Sequence, residues 1–449
     1  MNKKIPTSAL QTDFYQLTMS FAYLISGIAG ETTGFESFIR HIKPEVANES
    51  KFYVFDGENE VHEFMKIVKD EINQEDFFDR FWTMFSTKIA NPEEMYEKAK
   101  KAFNSINKDF EYNVIHNGTK VFPKVPVFQF KGSKMIGQLI ETPITNIVNG
   151  RTGQKSFETF FPEKNQDISK IRQDMNSVSA QYIEDLTKRA IEYREATSKV
   201  LLEAAFRRAP NFEISVVASR IALENGWDGT SNTTLFYEFP DMIGGTMAHA
   251  FVMAFEKEID AFRTWNRIFP KSTILVDTYD TVNAVKMLIE NNIRPASVRI
   301  DSDPIEELAF KVREILDEAG WTEVKIFLSG DITPEKLIKW ENENVPFDMC
   351  MAGTKYVNID EMHFVNAGFV YKVVEYERDG KRFFPYKKAF GKSNYPGLKT
   401  VFVDSDGDIS MTINGEFGFK NVERLNKNPY IEFMSGIDFS KSDVQYAII

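Results

Sequence analysis

The sequence predicts an α/β fold, an irregular (β/α) barrel accompanied by a smaller α+β domain. After residue 198, apolar runs that end in polar residues alternate with helical stretches, as in VLLEAAF, TILVDTYD, SVRIDSD, VKIFLSGD and FDMCMAGT. This alternation is typical of a parallel sheet with helical crossovers. After residue 370 the pattern returns to strands and turns, which indicates that the chain end rejoins the smaller domain. The length of 449 residues leaves room for both parts.

The same pattern divides the chain into three segments. We assign residues 1–140 to the first part of a split α+β domain, residues 141–370 to the barrel with the catalytic site, and residues 371–449 to the return of the chain into the split domain. Residues 151–198 are polar and rich in Lys, Glu and Gln. We expect them to form a solvated helical insertion within the barrel segment.

The N-terminal segment is predicted to mix helices and strands. Apolar residues recur every three or four positions in residues 1–25, which predicts a helix. Its aromatic side chains favour a partner surface, with burial inside its own domain as the alternative, for Phe14, Tyr15, Phe21 and Tyr23. Short strands are expected at 35–40 and 52–55. Helices are expected from 58 to 112, and extended chain from 113 gives way to helix after Thr142.

Composition and charge exclude several classes of protein. The net charge of −12 and the pI near 5.2 disfavour general nucleic-acid binding, while a local basic pocket for a small phosphate stays possible. A single cysteine, Cys350, excludes an intrachain disulfide and a Cys-rich metal site. The first residues lack a signal-peptide core, and no apolar run is long enough to span a membrane. We therefore expect a soluble, cytoplasmic protein without a membrane partner.

Polar side chains follow four of the predicted barrel strands. They are Asp277 with Asp280, then 301–303, 329–331 and Gly353 with Thr354. Because the carboxyl ends of barrel strands carry the chemistry, carboxylates gathered there suit Mg²⁺ or sugar hydroxyls. Backbone N–H groups around Gly330 and Gly353 are suited to phosphate. Helix N-caps are the structural alternative for each of these positions.

One histidine and three arginines also stand out. His249 follows a Gly-Gly-Thr turn and leads into a helix, although a lone helical histidine is often structural. Arg207 and Arg208 follow an apolar strand, and Arg299 lies inside another, two residues before Asp301. A buried strand arginine needs a counter-charge, which is either a protein carboxylate or a ligand anion.

Taken together, the short motifs resemble the nicotinate phosphoribosyltransferase family. The matches keep the family's order and span about residues 10–400: TDFYQLTM at 12–19, FESFIR at 35–40, GTSN at 229–232, GTMAH at 245–249, DTYD at 277–280, RIDS at 299–302, SGD at 329–331, AGT at 352–354, and Lys392 with PGLK at 396–399. The resemblance implies a barrel with a split domain built from both chain termini.

The resemblance also implies an activity and its participants. The family joins nicotinate to phosphoribosyl pyrophosphate, giving nicotinate mononucleotide and pyrophosphate, and couples ATP hydrolysis through a phosphorylated histidine that matches His249. Tyr15, Thr246 and Arg299 match the nicotinate site, and Thr354 matches the phosphate-binding threonine. Family members are typically homodimers in which the N-terminal tyrosine completes the neighbouring subunit's site.

The residue types fit that chemistry. Displacement of pyrophosphate from the anomeric carbon develops an oxocarbenium-like cation, which the carboxylates of Asp277 and Asp301 are suited to stabilise while they hold Mg²⁺. Asp277 is also the expected partner that fixes the His249 tautomer. Donors and backbone groups for the substrates are expected at Arg207, Ser302, Gly330, Asp331 and Gly353.

Two alternative functions stay open at this point. Amide-using relatives carry Asp at the position of Ser231, so the serine favours nicotinate over nicotinamide as the substrate. A catalytically silent relative that binds a nucleotide or a partner is the other alternative. It is motivated by three departures from the family pattern, at Ala204-Ala205, Asp303-Pro304 and Ala352.

Overall fold

The computed structural model describes residues 5–162, 180–358, 366–385, 396–403, 409–413, 417–419 and 446–447. Residues 5–162 hold five short strands, β1 Thr32–Ile39, β2 Tyr53–Val54, β3 Glu111–Val114, β4 Lys120–Val121 and β5 Phe128–Ser133. The same stretch contains seven α-helices, α1 Phe14–Ser26, α2 Pro44–Ala47, α3 Glu58–Glu71, α4 Phe77–Thr83, α5 Pro92–Ser105, α6 Lys134–Leu139 and α7 Glu141–Phe160.

The barrel is a curled sheet of six parallel strands in the order β7-β6-β11-β10-β9-β8. Its strands are β6 Val200–Glu203, β7 Gly229–Thr230, β8 Thr273–Leu275, β9 Ser297–Ile300, β10 Lys325–Ser329 and β11 Met349–Ala352. The helices of this part are α8 Ala180–Glu195, α9 Phe212–Glu224, α10 His249–Val252, α11 Glu258–Ile268, α12 Thr281–Glu290, α13 Ile305–Glu318, α14 Pro334–Asn342 and α15 Thr354–Val357.

The second sheet joins the two ends of the chain. The C-terminal strands are β12 Phe369–Arg378, β13 Lys381–Phe383, β14 Lys399–Val403, β15 Ile409–Ile413, β16 Phe417–Phe419 and β17 Tyr446–Ala447. Strand β12 pairs antiparallel with β1, which pairs on its other side with β5, in the order β17-β13-β12-β1-β5-β3. An irregular parallel barrel with a separate antiparallel domain, the predicted fold class, is therefore confirmed.

Several predicted element boundaries are wrong. The first helix begins at Phe14 because the carboxylate of Glu71 binds the preceding segment, accepting hydrogen bonds from Ser8 Oγ at 2.6 Å and from Ala9 N at 2.5 Å. The helix expected after Thr142 begins earlier, as α6 and α7, and α7 continues past residue 150 into the predicted insertion. The extended chain expected from residue 113 includes β3, which already begins at Glu111.

Helix α1 lies inside the protein. Phe14, Phe21 and Tyr23 are each at most 1% exposed, and Phe21 packs against the rings of Trp82 and Phe85. The expectation of an aromatic partner surface on this helix is wrong, because helices from both parts of the chain surround it and bury several of its faces. No helix in the described parts of the chain combines the length and the apolar character needed to cross a membrane.

Some of the predicted features lie outside the described residues. The insertion is seen as the end of α7 and as α8, while residues 163–179 between them are among those not described. Lys392 of the last motif belongs to a second such stretch. The three segment boundaries stay predictions.

Candidate active site

A cavity of about 530 Å³ opens at the carboxyl ends of the barrel strands, against the split domain. Parallel strands bring their carboxyl ends to one edge, so residues distant in sequence meet there. Of the thirteen predicted site residues, eleven line this cavity: Tyr15, Arg207, Ser231, Thr246, His249, Arg299, Asp301, Gly330, Asp331, Gly353 and Thr354. Asp277 and Ser302 are not part of its lining.

His249 stands at the start of α10 beside two carboxylates. Its Nδ1 is 3.1 Å from Thr278 Oγ1, and its Nε2 is 3.7 Å from Asp301 Oδ2 and 3.9 Å from Asp277 Oδ1. The threonine hydroxyl lies within hydrogen-bond distance of the ring and helps to orient the imidazole. Asp277 as the partner that fixes the His249 tautomer stays a prediction.

Asp301 presents a carboxylate to the cavity from the end of β9. Burial alone would raise its pKa, but the nearby His249 and the charge of Arg299 outweigh burial and hold the pKa of Asp301 well below its usual range. Ser329 Oγ donates a further hydrogen bond to Asp301 Oδ1 at 2.6 Å. Asp301 is therefore an ionised, oriented group at neutral pH.

Asp277 lies behind this carboxylate. Its side chain is 2% exposed, and its Oδ2 accepts a hydrogen bond from the backbone N–H of Asp301 at 3.2 Å. Asp277 thereby fixes the turn that carries Asp301. Within the described ranges, no three His, Cys, Asp or Glu side chains come together as a metal-binding cluster.

Arg299 and Thr246 form one wall of the cavity. Arg299 Nη1 donates to Thr246 Oγ1 at 3.1 Å, and the carbonyl of Thr246 accepts a hydrogen bond from Thr18 Oγ1 of α1 at 3.0 Å. Arg299 is 8% exposed, and its Nε has no hydrogen-bond partner among the described residues. A buried guanidinium with an unused donor is suited to a ligand anion.

Tyr15 lies opposite, beside a carboxylate that the sequence analysis missed. Its hydroxyl is 3.3 Å from Glu141 Oε1, which also lies 3.4 Å from Arg207 Nη1. Gln138 Nε2 donates to the second oxygen of Glu141 at 2.9 Å. Glu141 thus links Tyr15 to Arg207. The sequence signal that could have found it is a single charged residue in the otherwise uncharged run of residues 135–150.

Asp13 is a second missed carboxylate on this side. It is 1% exposed, and burial raises its pKa to about 6, although the nearby charge of Arg207 and hydrogen bonds from Thr142 and Ser231 lower it. Glu203, at the end of β6, is also buried, and burial raises its pKa to about 7. Its Oε2 accepts hydrogen bonds from Ser219, at 2.7 Å, and from Thr230. These carboxyl groups are close to titration near neutral pH.

A cationic group of side chains lies beside Arg207. Burial, together with the positive charges of Arg207 and Arg40, lowers the pKa of Arg208 to about 9, and its Nη1 donates to the carbonyl of Phe369 at 2.7 Å. Burial and the charge of Arg207 lower the pKa of Arg40 to about 10. Positive charges held together at such a cost in solvation favour an anionic ligand.

Tyr15 shares this cavity with the His249 of its own chain. The segment before α1 is fixed to the barrel, because Phe14 N donates to the carbonyl of Ser231 at 2.6 Å. A Cβ at Gly245 would lie 2.9 Å from Tyr15 N, so only glycine permits this approach. Tyr15 therefore lies in the cavity of its own chain, and the expectation that it completes a neighbouring subunit's site stays a prediction. The homodimer itself stays a prediction.

The departure at Ala352 is accommodated by the backbone, and the neighbouring Gly353 approaches Ala204 closely. A Cβ at Gly353 would lie 2.5 Å from the carbonyl oxygen of Ala204, so this glycine fits where another residue would clash. Ala352 is the last residue of β11 and is not among the residues with positive φ. The alanine therefore does not strain the turn.

Comparisons with known proteins find similarity to nicotinate phosphoribosyltransferases. The chain is 27% identical over 403 residues to the nicotinate phosphoribosyltransferase of Bacillus subtilis (strain 168), a match that covers 88% of this chain and 72% of that protein. It is 27% identical over 400 residues to nicotinate phosphoribosyltransferase pncB2 of Mycobacterium tuberculosis (strain ATCC 25618 / H37Rv), covering 88% of this chain and 75% of that one. No protein-family model matches the chain.

Solved structures share the fold. The nicotinate phosphoribosyltransferase of Porphyromonas gingivalis superposes with a TM-score of 0.60 at 17% identity, covering 88% of this chain and 95% of that chain. The enzyme from Vibrio cholerae gives 0.58 at 14% identity, with 86% and 89% covered. The fold and the cavity at its strand ends define an enzyme of the parallel-barrel type with a split second domain. The chain is, more particularly, similar in sequence and in fold to nicotinate phosphoribosyltransferases.

Proposed function

We propose that this protein transfers the phosphoribosyl group of phosphoribosyl pyrophosphate to nicotinate, giving nicotinate mononucleotide and pyrophosphate. One observation carries the proposal: a single cavity is lined by Tyr15, Arg299, Asp301 and a cluster of arginines. Tyr15 offers an aromatic ring, Arg299 a binding group for a carboxylate, and Asp301 an ionised acid. The arginine cluster offers binding groups for phosphate. The sequence similarity to nicotinate phosphoribosyltransferases supports the same reaction.

Nicotinate is proposed to bind between Tyr15 and Arg299. The buried guanidinium of Arg299 has an unused Nε donor for the substrate carboxylate, and Thr246 holds its orientation. Tyr15 offers its ring to the pyridine, and Glu141 fixes the tyrosine hydroxyl. Ser231 lines the same cavity without a charge that would repel a carboxylate, which favours nicotinate over nicotinamide.

The phosphoribosyl donor is proposed to bind along the arginine side. Arg40, Arg207 and Arg208 would receive pyrophosphate, and the turns at Gly330-Asp331 and Gly353-Thr354 would receive the ribose phosphate end. The pyridine nitrogen attacks the anomeric carbon as the bond from that carbon to the pyrophosphate oxygen breaks. No proton is transferred in this step. The positive charge that develops on the ribose is stabilised by the ionised carboxylate of Asp301.

A magnesium ion is proposed to accompany the donor. Mg²⁺ keeps several waters and substrate phosphate oxygens and takes only one or two protein carboxylates. Asp301 fits that requirement at the cavity wall, whereas Asp277 is buried behind it and contributes through the backbone of Asp301. Bound there, the ion would neutralise charge on the leaving pyrophosphate.

We also propose that ATP is a co-substrate and that His249 accepts its γ-phosphoryl group. When the Thr278 hydroxyl accepts the Nδ1–H, Nε2 keeps its lone pair towards the cavity side. The N–P bond forms as the bond from the γ-phosphorus to the bridging oxygen breaks, and ADP leaves. The cytoplasmic location and the homodimer stay predictions beside this proposal.

The reaction is tested with purified protein, phosphoribosyl pyrophosphate and Mg²⁺. We expect nicotinate to give nicotinate mononucleotide and pyrophosphate in equal amounts, with nicotinamide as the matched substrate that gives little product. ATP is added in a parallel series to measure stimulation and ADP release. Pyrophosphate release that favours nicotinamide would contradict the assignment of Ser231, and no release with either ring would support the silent alternative.

A further inference from the structure

We infer that helix α8, in the predicted insertion, positions the two cavity-lining turns, Gly330-Asp331 and Gly353-Thr354. The helix does not itself line the cavity. Its side chains instead donate hydrogen bonds to backbone carbonyls that directly follow those turns. This inference rests on the proposed function, since it assigns the turns to the phosphoribosyl donor.

Two side chains of α8 hold the short helix α15, which begins at Thr354. Tyr182 Oη donates to the carbonyl of Val357 at 2.8 Å, and Arg189 Nη2 donates to the carbonyl of Lys355 at 3.4 Å. The carbonyls in the last turn of a helix have no partner within that helix. A tyrosine hydroxyl and a guanidinium supply donors there, and the positive charge suits the helix C-terminus. Helix α15 is thereby anchored at the end away from the cavity.

A third side chain holds the other turn. Tyr193 Oη donates to the carbonyl of Ile332 at 2.7 Å, and the tyrosine is fully buried. The residues just before Ile332 have unusual backbone angles, with φ of +108° at Gly330 and +45° at Asp331. A non-glycine residue at positive φ needs support from its surroundings. The Tyr193 hydroxyl provides that support at the adjacent carbonyl.

The helix is rigid enough to act in this way. Its contact residues, spaced by three or four, form one face: Tyr182, Leu186, Arg189, Ala190 and Tyr193. Trp227 Nε1 donates to the carbonyl of Ala190 at 3.0 Å, and the Trp227 ring packs 5.3 Å from Tyr193 and 4.8 Å from Tyr356 of α15. The aromatic cluster joins α8 to α15 without touching the cavity.

The inference predicts an effect on one substrate only. Loss of either tyrosine hydroxyl leaves a backbone carbonyl without its hydrogen-bond donor. The turn that precedes this carbonyl then has more conformational freedom. The turn then spends less time in the geometry that receives the donor. The hydrogen bonds that Tyr182, Arg189 and Tyr193 of α8 donate to the turns do not involve the wall of the nicotinate site, so we expect nicotinate binding to be unaffected.

The test uses Tyr182→Phe, Tyr193→Phe and the double variant of the full-length protein. We expect the KM for phosphoribosyl pyrophosphate to rise about fivefold for each single variant, the value of one net hydrogen bond, with kcat and the KM for nicotinate unchanged. Tyr53→Phe is the matched control, because Tyr53 is buried and hydrogen-bonded but lies away from the cavity. Equal KM rises for both substrates, or none, would overturn the inference.

A binding measurement separates this inference from the proposed function. Calorimetry with ribose 5-phosphate, the end of the donor assigned to the two turns, needs no turnover, so it reports on the turns even if the wild type fails to convert nicotinate. Weaker ribose 5-phosphate binding by the Tyr182 and Tyr193 variants than by wild type and Tyr53→Phe supports the inference. Equal affinities in all four proteins contradict it, whatever the outcome of the nicotinate assay.

Discussion

Two aspartates that line the same cavity have pKa values shifted in opposite directions. Asp301, at the barrel edge, has a pKa well below its usual range, because the nearby His249 and the charge of Arg299 outweigh its burial. Asp13, on the side formed by the N-terminal segment, has a pKa raised to about 6, because burial outweighs the effect of Arg207 and its hydrogen bonds. Both side chains carry the same carboxyl group, so the different neighbours account for the difference in pKa.

The difference separates two tasks. An ionised acid with a fixed orientation is useful beside a developing cation, and Asp301 meets both conditions. Asp13 connects the segment before α1 to the protein interior, where its Oδ2 accepts a hydrogen bond from Thr142 at 2.7 Å. Ionisation of such a buried group costs stability. Asp301 on the barrel side therefore provides a negative charge, and Asp13 on the N-terminal side holds the segment before α1 in place.

The largest expected effect follows from the substitution of the charged aspartate. Asp301→Asn should lower kcat by about 100-fold or more, since it removes the charge that stabilises the developing cation and keeps the shape. Steady-state kinetics measure the loss, and circular dichroism checks the fold. Asp303→Asn, at an exposed position outside the cavity lining, is the control. A near-wild-type kcat in the Asp301 variant would leave this residue only its role in holding Ser329.

Removal of the neighbouring imidazole should have a narrower effect. His249→Ala should abolish the stimulation by ATP and leave a slow ATP-independent reaction, because the phosphoryl acceptor is lost while Asp301 and Arg299 remain. ADP release and pyrophosphate release are measured together with and without ATP. His116→Ala, whose side chain is 90% exposed, is the matched control. Equal ATP stimulation in variant and wild type would remove the phosphohistidine from the proposal.

The buried aspartate should reveal itself through stability rather than rate. The native pKa of Asp13 is about 6, above the ordinary value of 3.8, so the native state holds the proton more tightly than the unfolded state. Wild-type stability should therefore fall as the pH rises through 6, by about 1 to 1.5 kcal/mol between pH 5 and pH 8 from this group. Asp13→Asn should lack that part of the fall.

Chemical denaturation at both pH values measures this difference. Asp109→Asn, at an exposed position, is the control and should follow the wild type. Parallel pH dependence in wild type and Asp13→Asn would mean that Asp13 is ionised in the folded protein as easily as in the unfolded chain.

The last experiment is expected to show no change in activity. Tyr15→Ala and His249→Ala variants, mixed under conditions in which differently tagged chains exchange, should recover no activity. Tyr15 and His249 line the cavity of one chain, so a mixed dimer would contain two damaged sites. Recovered turnover on mixing would show that Tyr15 serves the neighbouring subunit, as the family resemblance implies.

The barrel side of the site could be predicted from the sequence, and the N-terminal side mostly could not. Asp301, Ser329 and Thr354 follow apolar runs, and the geometry of parallel strands brings such ends together. The contact between Tyr15 and Glu141 joins residues 126 positions apart in helices with different axes. No local sequence pattern indicates that these two residues are in contact. The hydroxyl of Thr278 beside His249 could not be predicted for a related reason, because the side-chain directions of the adjacent residues 277 and 278 depend on the fold.

The insertion shows the same limit. Its polar composition predicted a solvated helix, and several α8 side chains are indeed exposed. The tyrosines on its other face serve the barrel turns, but the sequence contains no sign of which carbonyls they reach. A tyrosine on an amphipathic helix is usually only a packing residue, so the hydrogen bonds of Tyr182 and Tyr193 became visible only with the fold.

The pairing of β1 with β12 governs the order in which the molecule is completed during synthesis. Strand β1 lies between β5 and β12, and Glu36 in β1 accepts a hydrogen bond from the backbone of Lys399, 363 residues later. A ribosome-bound chain thus has β1 and β5 long before β12 exists. Until then β1 has an open strand edge, the kind of surface that pairs with other chains. The split domain makes the nascent chain most prone to aggregation in the interval while the barrel is being translated.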